Sequence, residues 1–319
     1  MNCLIVGAGA IGVAIGATLY QAGCAVSFYA RGATKEAIAA GGVRRTGLFG
    51  PAEISAGALT VADDYGAFPP SSFDYVLISV KAMANPAVAA ALAAHREILK
   101  PEGRLVLMQN GWGNDGAYLE YFPKAQVCSA RVITGFQRTA PNVSNVTVHT
   151  APILLGSLYG LDVSPLEPLA EAIAAGGIPC QVTDNVTAAL WAKMLYNCTL
   201  NPLGAVLGVH YGALGESAYS VAIMNDLIDE VFAVMTAAGY ATYWATPEEY
   251  RKEFYGKLLP DTYHHNSSTL QDIRRKQPTE IDALTGKILE LAAAHHIPVP
   301  ANTMLYRQVK AIEDNYALE

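Results

Sequence analysis

Asn2-Cys3-Leu4-Ile5-Val6-Gly7-Ala8-Gly9-Ala10-Ile11-Gly12 is the stretch whose reading decides the fold. A short apolar run ends in a G-x-G-x-x-G pattern. A helical pattern follows through Tyr20-Gln21-Ala22-Gly23, and then a second apolar run, Ala25-Val26-Ser27-Phe28-Tyr29-Ala30. The glycine spacing alone is weak evidence, but between a strand and a helix inside a compact βαβ unit it predicts dinucleotide binding. Gly7 permits the tight turn, Gly9 lets backbone approach a pyrophosphate, and Gly12 lets the helix pack close to the strand. With Ala8, Ala10 and Ile11 they form the candidate cofactor loop, and the helix N-terminus receives the phosphates.

The end of the second strand selects the cofactor. An acidic residue there binds the adenosine ribose, whereas an arginine accommodates a 2′-phosphate. This chain reads Tyr29-Ala30-Arg31, with no Asp or Glu before Glu36, which predicts NADPH/NADP+. A guanidinium suits a phosphate because its planar fork makes two charge-assisted bonds. The competing reading of Arg31 is a solvated surface arginine.

Two later runs extend the sheet. Residues 73–80 end in Lys81, and residues 104–108 end in Gln109-Asn110-Gly111. Ligands bind at the carboxyl edge of such sheets, so Lys81 and Asn110 are candidates for the nicotinamide end. The competing readings are a surface lysine and a turn-forming asparagine. Short β-rich runs over 127–156, a helix over 165–175 and a last strand over 178–182 complete a first domain, 1–183. After Asp184 long helical patterns take over, predicting an all-α domain, 184–319, with substrate in the cleft between the two. The expected fold class is therefore an α/β Rossmann-type NAD(P)-binding domain followed by an all-α C-terminal domain.

Composition narrows the function. The chain has 319 residues, a net charge of −7 and five scattered cysteines. The acidic balance argues against a nucleic-acid partner. The odd cysteine count without a Cys-x-x-Cys pair fits reduced core thiols. Neither a membrane span nor a signal peptide is read, so a cytoplasmic protein is expected. The pairs His264-His265 and His295-His296 are adjacent rather than helix-spaced, so no metal site is expected.

The second half carries a polar stripe within the apolar run Leu190-Trp191-Ala192-Lys193-Met194-Leu195-Tyr196-Asn197-Cys198-Thr199-Leu200-Asn201-Pro202. On a helix, Lys193, Asn197 and Asn201 drift only about 40° per four residues and span roughly 12 Å of one face. Buried polar groups need partners, and a ligand is one candidate. A snorkelling lysine with two backbone-bonded asparagines is the structural alternative. Further on, Thr279-Glu280-Ile281-Asp282 reads as an N-cap opening a helix to about His295.

These ordered motifs resemble the ketopantoate reductase (2-dehydropantoate 2-reductase) family along essentially the whole chain. The matching pieces are Gly7 to Gly12, Arg31, Ser79-Val80-Lys81-Ala82, Gln109-Asn110-Gly111, Leu190-Trp191-Ala192-Lys193 with Asn197 and Asn201-Pro202, Ser267-Ser268-Thr269-Leu270-Gln271-Asp272, Thr279-Glu280-Ile281-Asp282, and Ile297-Pro298-Val299-Pro300-Ala301-Asn302. The resemblance implies NADPH-dependent reduction of a small 2-keto acid, ketopantoate, on the way to pantothenate and coenzyme A. It also implies a helical domain of the 6-phosphogluconate dehydrogenase C-terminal-like type. Lys193 matches the general acid and Glu280 a residue that assists it, while Asn197, Asn201 and Ser268, with Asn110, match substrate-holding positions. The chain departs from the pattern at His265, Thr269 and Thr285, so another 2-keto acid is the alternative substrate, and a non-catalytic NADP-binding sensor is a more distant one. A homodimer is the assembly considered.

Overall fold

The computed structural model describes residues 1–317. Twelve strands are found among them: β1 (Asn2–Val6), β2 (Ala25–Tyr29), β3 (Val43–Gly47), β4 (Ala52–Ile54), β5 (Thr60–Ala62), β6 (Phe73–Ile78), β7 (Leu99–Leu107), β8 (Val127–Arg131), β9 (Thr134–Ala140), β10 (Val143–His149), β11 (Ile153–Gly156) and β12 (Cys180–Val182). Eight of them form one sheet in the order β12-β11-β8-β7-β6-β1-β2-β5, and the other four form a second sheet, β4-β3-β10-β9. Strands β5, β2, β1, β6, β7 and β8 are all parallel. Their order is that of a dinucleotide-binding fold, with its switch point between β1 and β6.

β1 shows why this sheet is buried on both faces. Cys3 and Ile5 enter one core cluster, while Leu4 and Val6 enter another. Alternate side chains of a strand point to opposite faces, so a strand covered on both sides reads as an unbroken apolar run. The second sheet is tied in by Arg45 of β3, which is completely buried. Its guanidinium donates to Thr18 Oγ1 (2.6 Å), the Gly176 carbonyl (2.9 Å), Gln21 Oε1 (3.2 Å) and the Phe49 carbonyl (3.1 Å). Neutral acceptors thus satisfy a cation that would otherwise be very costly to bury.

The last strand is shorter than the 178–182 run expected. Pro179 cannot donate to a ladder, and the Ile178 amide closes the preceding helix by bonding the Ile173 carbonyl (3.3 Å).

The chain divides into two compact units. The first is Met1–Gln109 with Asn114–Val186, and the second is Asn110–Gly113 with the residues from Thr187 onward. The second unit is helical, built on the 22-residue helix Val186–Leu207 and the helix Ala218–Ala237 around a core of their own. Pro202 lies inside the first of these helices. Among the described residues no helix is long and apolar enough to cross a membrane.

One local expectation is corrected. The helix read from Thr279 onward begins as a π-helical turn, Asp282–Gly286, and becomes α-helical only over Lys287–Ala294. The Gly286 amide reaches back to the Ile281 carbonyl (2.8 Å), while the Ala283 carbonyl accepts the Trp112 amide (3.1 Å). A turn one residue wider thus accompanies a carbonyl given to another segment. Thr279 does accept from the Ile281 amide (3.3 Å), yet its own hydroxyl donates to Glu313 Oε1 (2.6 Å).

The final long helix, Pro300–Asp314, is capped from a distance. Glu230 accepts from the Ala301 amide (2.8 Å), the Asn302 amide (2.9 Å) and Asn302 Nδ2 (2.8 Å). Removing it strands two helix-terminal donors and the amide of a fully buried asparagine. Glu230→Ala is expected to lower unfolding stability by about 1–3 kcal/mol, seen as a lower urea midpoint at unchanged slope.

Candidate active site

The first unit carries the glycine turn between β1 and the helix Ala10–Gln21. Gly7 has φ +97°, and a Cβ there would stand 2.7 Å from the Val80 amide nitrogen. A Cβ on Gly12 would stand 2.1 Å from the Gly7 carbonyl oxygen and 2.5 Å from Ser79 Oγ. By contrast, the nearest atom to a Cβ on Gly9 would be the Ser79 carbonyl oxygen at 3.9 Å. Gly7 and Gly12 are therefore glycine for internal packing, and Gly9 keeps open the face over which a pyrophosphate would come. Gly9 is the N-cap of the 12-residue helix Ala10–Gln21 and supplies no side-chain cap. The first helical N–H groups lack a side-chain acceptor from the cap and would suit an anion. A dinucleotide fits this donor set.

At the end of β2, Arg31 is exposed. It donates to the Tyr29 hydroxyl from Nη2 (2.6 Å) and Nε (3.2 Å). Lys81 lies beyond the end of β6 as the N-cap of a short 3-10 turn, Ala82–Ala84, and is exposed. Gln109, buried at the end of β7, donates from Nε2 to the Val80 carbonyl (3.0 Å) and to Asn85 Oδ1 (2.5 Å). Asn85 in turn accepts from Tyr118 and donates to Asn114, both at 3.0 Å.

In the second unit the polar stripe lies on a single helix. Lys193 is half-buried, and Asn197 and Asn201 are 8 % and 3 % exposed. The Lys193 ammonium donates to Asn110 Oδ1. Asn201 Oδ1 accepts the Tyr211 hydroxyl (2.5 Å), which leaves its Nδ2 as the group to present elsewhere. The Asn197 carboxamide makes no hydrogen bond to another described residue, and although the residue is only 8 % exposed its polar atoms remain within reach of solvent.

The segment carrying Asn110 is locked to this helical unit. Gly111 has φ +96°, and a Cβ there would stand 2.4 Å from the Ala283 carbonyl oxygen. The Trp112 ring lies 5.2 Å from Trp191 and 4.8 Å from Tyr240, which themselves stack at 5.2 Å. Trp191 is on the same helix as Lys193, so one aromatic cluster fixes both partners of the Lys193–Asn110 bond. Glu280 sits just before the π turn, and its carbonyl accepts the Ala283 amide (3.1 Å).

Ser268 is exposed at the first position of the helix Ser268–Arg274, while its neighbour Ser267 is 1 % exposed and structural. Ser267 Oγ accepts from the Leu270 amide (3.0 Å) and donates to the Asn201 carbonyl (3.3 Å). The His265 ring stands 5.2 Å from Tyr211. Sequence reasoning did not find Tyr211, Trp112 or Tyr240. Each is an aromatic with no motif spacing to mark it, and its part follows only from which polar group it holds in place.

The chain is similar to known proteins along almost its whole length. The family model described as "Ketopantoate reductase PanE/ApbA" matches residues 3–159, and that described as "Ketopantoate reductase PanE/ApbA C terminal" matches residues 185–313. A 2-dehydropantoate 2-reductase of Aquifex aeolicus is 34% identical over 98% of this chain and 97% of its own length. A PanE/ApbA family ketopantoate reductase from Ralstonia eutropha JMP134 has a TM-score of 0.85 at 30% identity, covering 99% of this chain and 100% of that one. A D-mandelate dehydrogenase solved with NADH and anilino(oxo)acetate shares the fold at a TM-score of 0.86 and 20% identity, over 99% of this chain and 100% of that one.

A chain with this fold, similar over nearly its full length to named reductases, is an oxidoreductase. The chain is a member of the PanE/ApbA ketopantoate reductase family.

Burial lowers the His265 pKa below the ordinary imidazole value of 6.5. The folded protein therefore favours the neutral ring, an advantage present above that value and lost as the pH falls through it and the unfolded chain takes up the proton more readily. His265→Asn is expected to flatten the acid-side decline in stability below about pH 6.5, checked by urea unfolding from pH 8 to 5. An unchanged slope would show that His265 makes no such contribution. A second expectation concerns the loop. Gly111→Ala forces a Cβ onto the Ala283 carbonyl in a left-handed backbone conformation, and should cost on the order of 1–3 kcal/mol of unfolding stability.

Proposed function

We propose that this protein reduces the 2-keto group of ketopantoate to (R)-pantoate with NADPH, a cytoplasmic step toward pantothenate and coenzyme A. The observation that carries the reading is the polar face of the helix Val186–Leu207: the Asn197 carboxamide, not used in any bond to the described residues, lies one turn from a lysine whose ammonium donates to Asn110. A carboxamide not used inside the protein can give both its donor and its acceptor to a ligand. Lys193, the Asn201 Nδ2 group and Asn197 present mainly donors, a complement suited to a 2-keto acid with an anionic carboxylate and a carbonyl oxygen.

When bound, the reduced nicotinamide supplies the hydride. As charge develops on the keto oxygen, Lys193 Nζ stabilises it and delivers a proton there. Glu280 partners Lys193, while Asn197, Asn201 and Ser268 hold the carboxylate and hydroxyl. Gly7 through Gly12 receive the pyrophosphate, Arg31 the 2′-phosphate, and Lys81 with Asn110 the nicotinamide end. In this reading Tyr211 orients the Asn201 amide by occupying its oxygen.

The neighbourhood of Asn201 favours a second reading as well. With Tyr211 bonded to Asn201 and the His265 ring against Tyr211, a 2-keto acid with a different side chain is the rival substrate. Turnover of NADPH against a panel of 2-keto acids separates the two: ketopantoate should give the highest kcat/KM. Lys193→Ala should lower kcat by about 10²–10⁴-fold with NADPH affinity retained. Near-normal turnover by this variant would overturn the assignment of Lys193 as proton donor.

A further inference from the structure

Arg31 is an exposed arginine, and such a side chain ordinarily samples many rotamers, which it must give up on gripping an anion. Here the sequence and the fold place a tyrosine under it. Tyr29 is the last residue of β2, only 7 % exposed, and its ring stacks on Tyr65 at 4.0 Å with 9° between the planes. Tyr65 is itself 2 % exposed and sits in the short 3-10 turn Tyr65–Ala67. The phenol is therefore fixed to the sheet at one end by β2 and on one face by a second buried ring. Its oxygen accepts from both Nη2 and Nε of Arg31. Of the five guanidinium N–H groups, three remain for a ligand. The neighbouring acid, Asp63, makes its ion pair with Lys35 at 2.7 Å.

We infer that Tyr29 is a specificity-determining positioning residue, whose hydroxyl holds Arg31 ready for the 2′-phosphate of an adenine dinucleotide and so raises the preference for NADPH over NADH. The inference rests on the reading of Arg31 as the 2′-phosphate ligand. A guanidinium already oriented loses less conformational freedom on binding, so its gain appears only with ligands that carry the extra phosphate. Tyr29 would act through Arg31 and not through the rest of the cofactor. This would make the tyrosine a counterpart, in the opposite sense, of the acidic residue that selects the ribose diol in NAD-using sheets.

The test is Tyr29→Phe, which keeps the ring stack and removes only the hydroxyl. Binding of adenosine 2′,5′-bisphosphate and of 5′-AMP is measured by calorimetry on the full chain, alongside the Kd values of NADPH and NADH. The expected result is about fivefold weaker binding of the bisphosphate and of NADPH, with 5′-AMP, NADH and the thermal midpoint unchanged. In Arg31→Ala the further Tyr29→Phe change should have no effect. If Tyr29→Phe leaves bisphosphate binding as it was, or weakens all four ligands alike, the inference fails. Arg31→Ala alone separates the two levels of the argument. A normal NADPH-to-NADH ratio in that variant overturns the 2′-phosphate reading and the inference with it, whereas a collapsed ratio there beside an unaltered Tyr29→Phe overturns the role of Tyr29 only.

Discussion

The bond from the Trp112 amide to the Ala283 carbonyl is the constraint on which the candidate catalytic face depends. Four residues, Asn110–Gly113, leave the company of the sheet and pack with the helical unit. Gly111 makes the approach feasible because no other residue tolerates both its φ and the nearness of the Ala283 oxygen. The Trp112 ring then closes on Trp191 and Tyr240. With these contacts in place, Asn110 accepts from Lys193, and the wide turn at Asp282–Gly286 provides the carbonyl that receives the Trp112 amide. An amide, three rings and a glycine thereby fix the segment that meets the ammonium.

A second theme is how donors are displayed by engaging acceptors. Tyr211 takes the Asn201 oxygen and Ser267 takes the Asn201 carbonyl, so both acceptors of one residue are used inside the protein. Aromatic hydroxyls do this job repeatedly in this chain. Tyr29 does it for Arg31, where the roles are reversed and the phenol oxygen is the acceptor. Burial raises the pKa of Tyr211 well above its ordinary value, so its proton stays in place to donate. Such groups set orientation without adding a charge.

The sheet and its glycine turn were largely legible because each glycine answers a local question. Gly7 and Gly12 meet backbone at distances no side chain permits, and this pattern is written within six residues. Periodicity also marked the face of Lys193, Asn197 and Asn201, since helix geometry alone aligns them. What the sequence did not show were contacts between distant segments. Nothing in the spacing ties Asn110 to Lys193, 83 residues apart, or Tyr211 to Asn201 by its hydroxyl. The π turn was read as an ordinary helix start for the same reason: its cause is a carbonyl bonded to a segment about 170 residues earlier. Ser267 and Ser268 were indistinguishable as letters, and burial alone assigns one to capping and exposes the other.

Arg45 deserves a last consideration as a fastener. It joins the four-stranded sheet to the helix Ala10–Gln21 and to the Gly176 turn, and all its partners are uncharged oxygens. A carboxylate partner would lose its grip on protonation, and an exposed ion pair would loosen in salt. Hydroxyl, amide and carbonyl acceptors do neither. The corner of the first unit that backs the glycine-turn helix is thus held by a clasp indifferent to both acidity and ionic strength. Its surface pairs, such as Lys35 with Asp63, are free to respond to both.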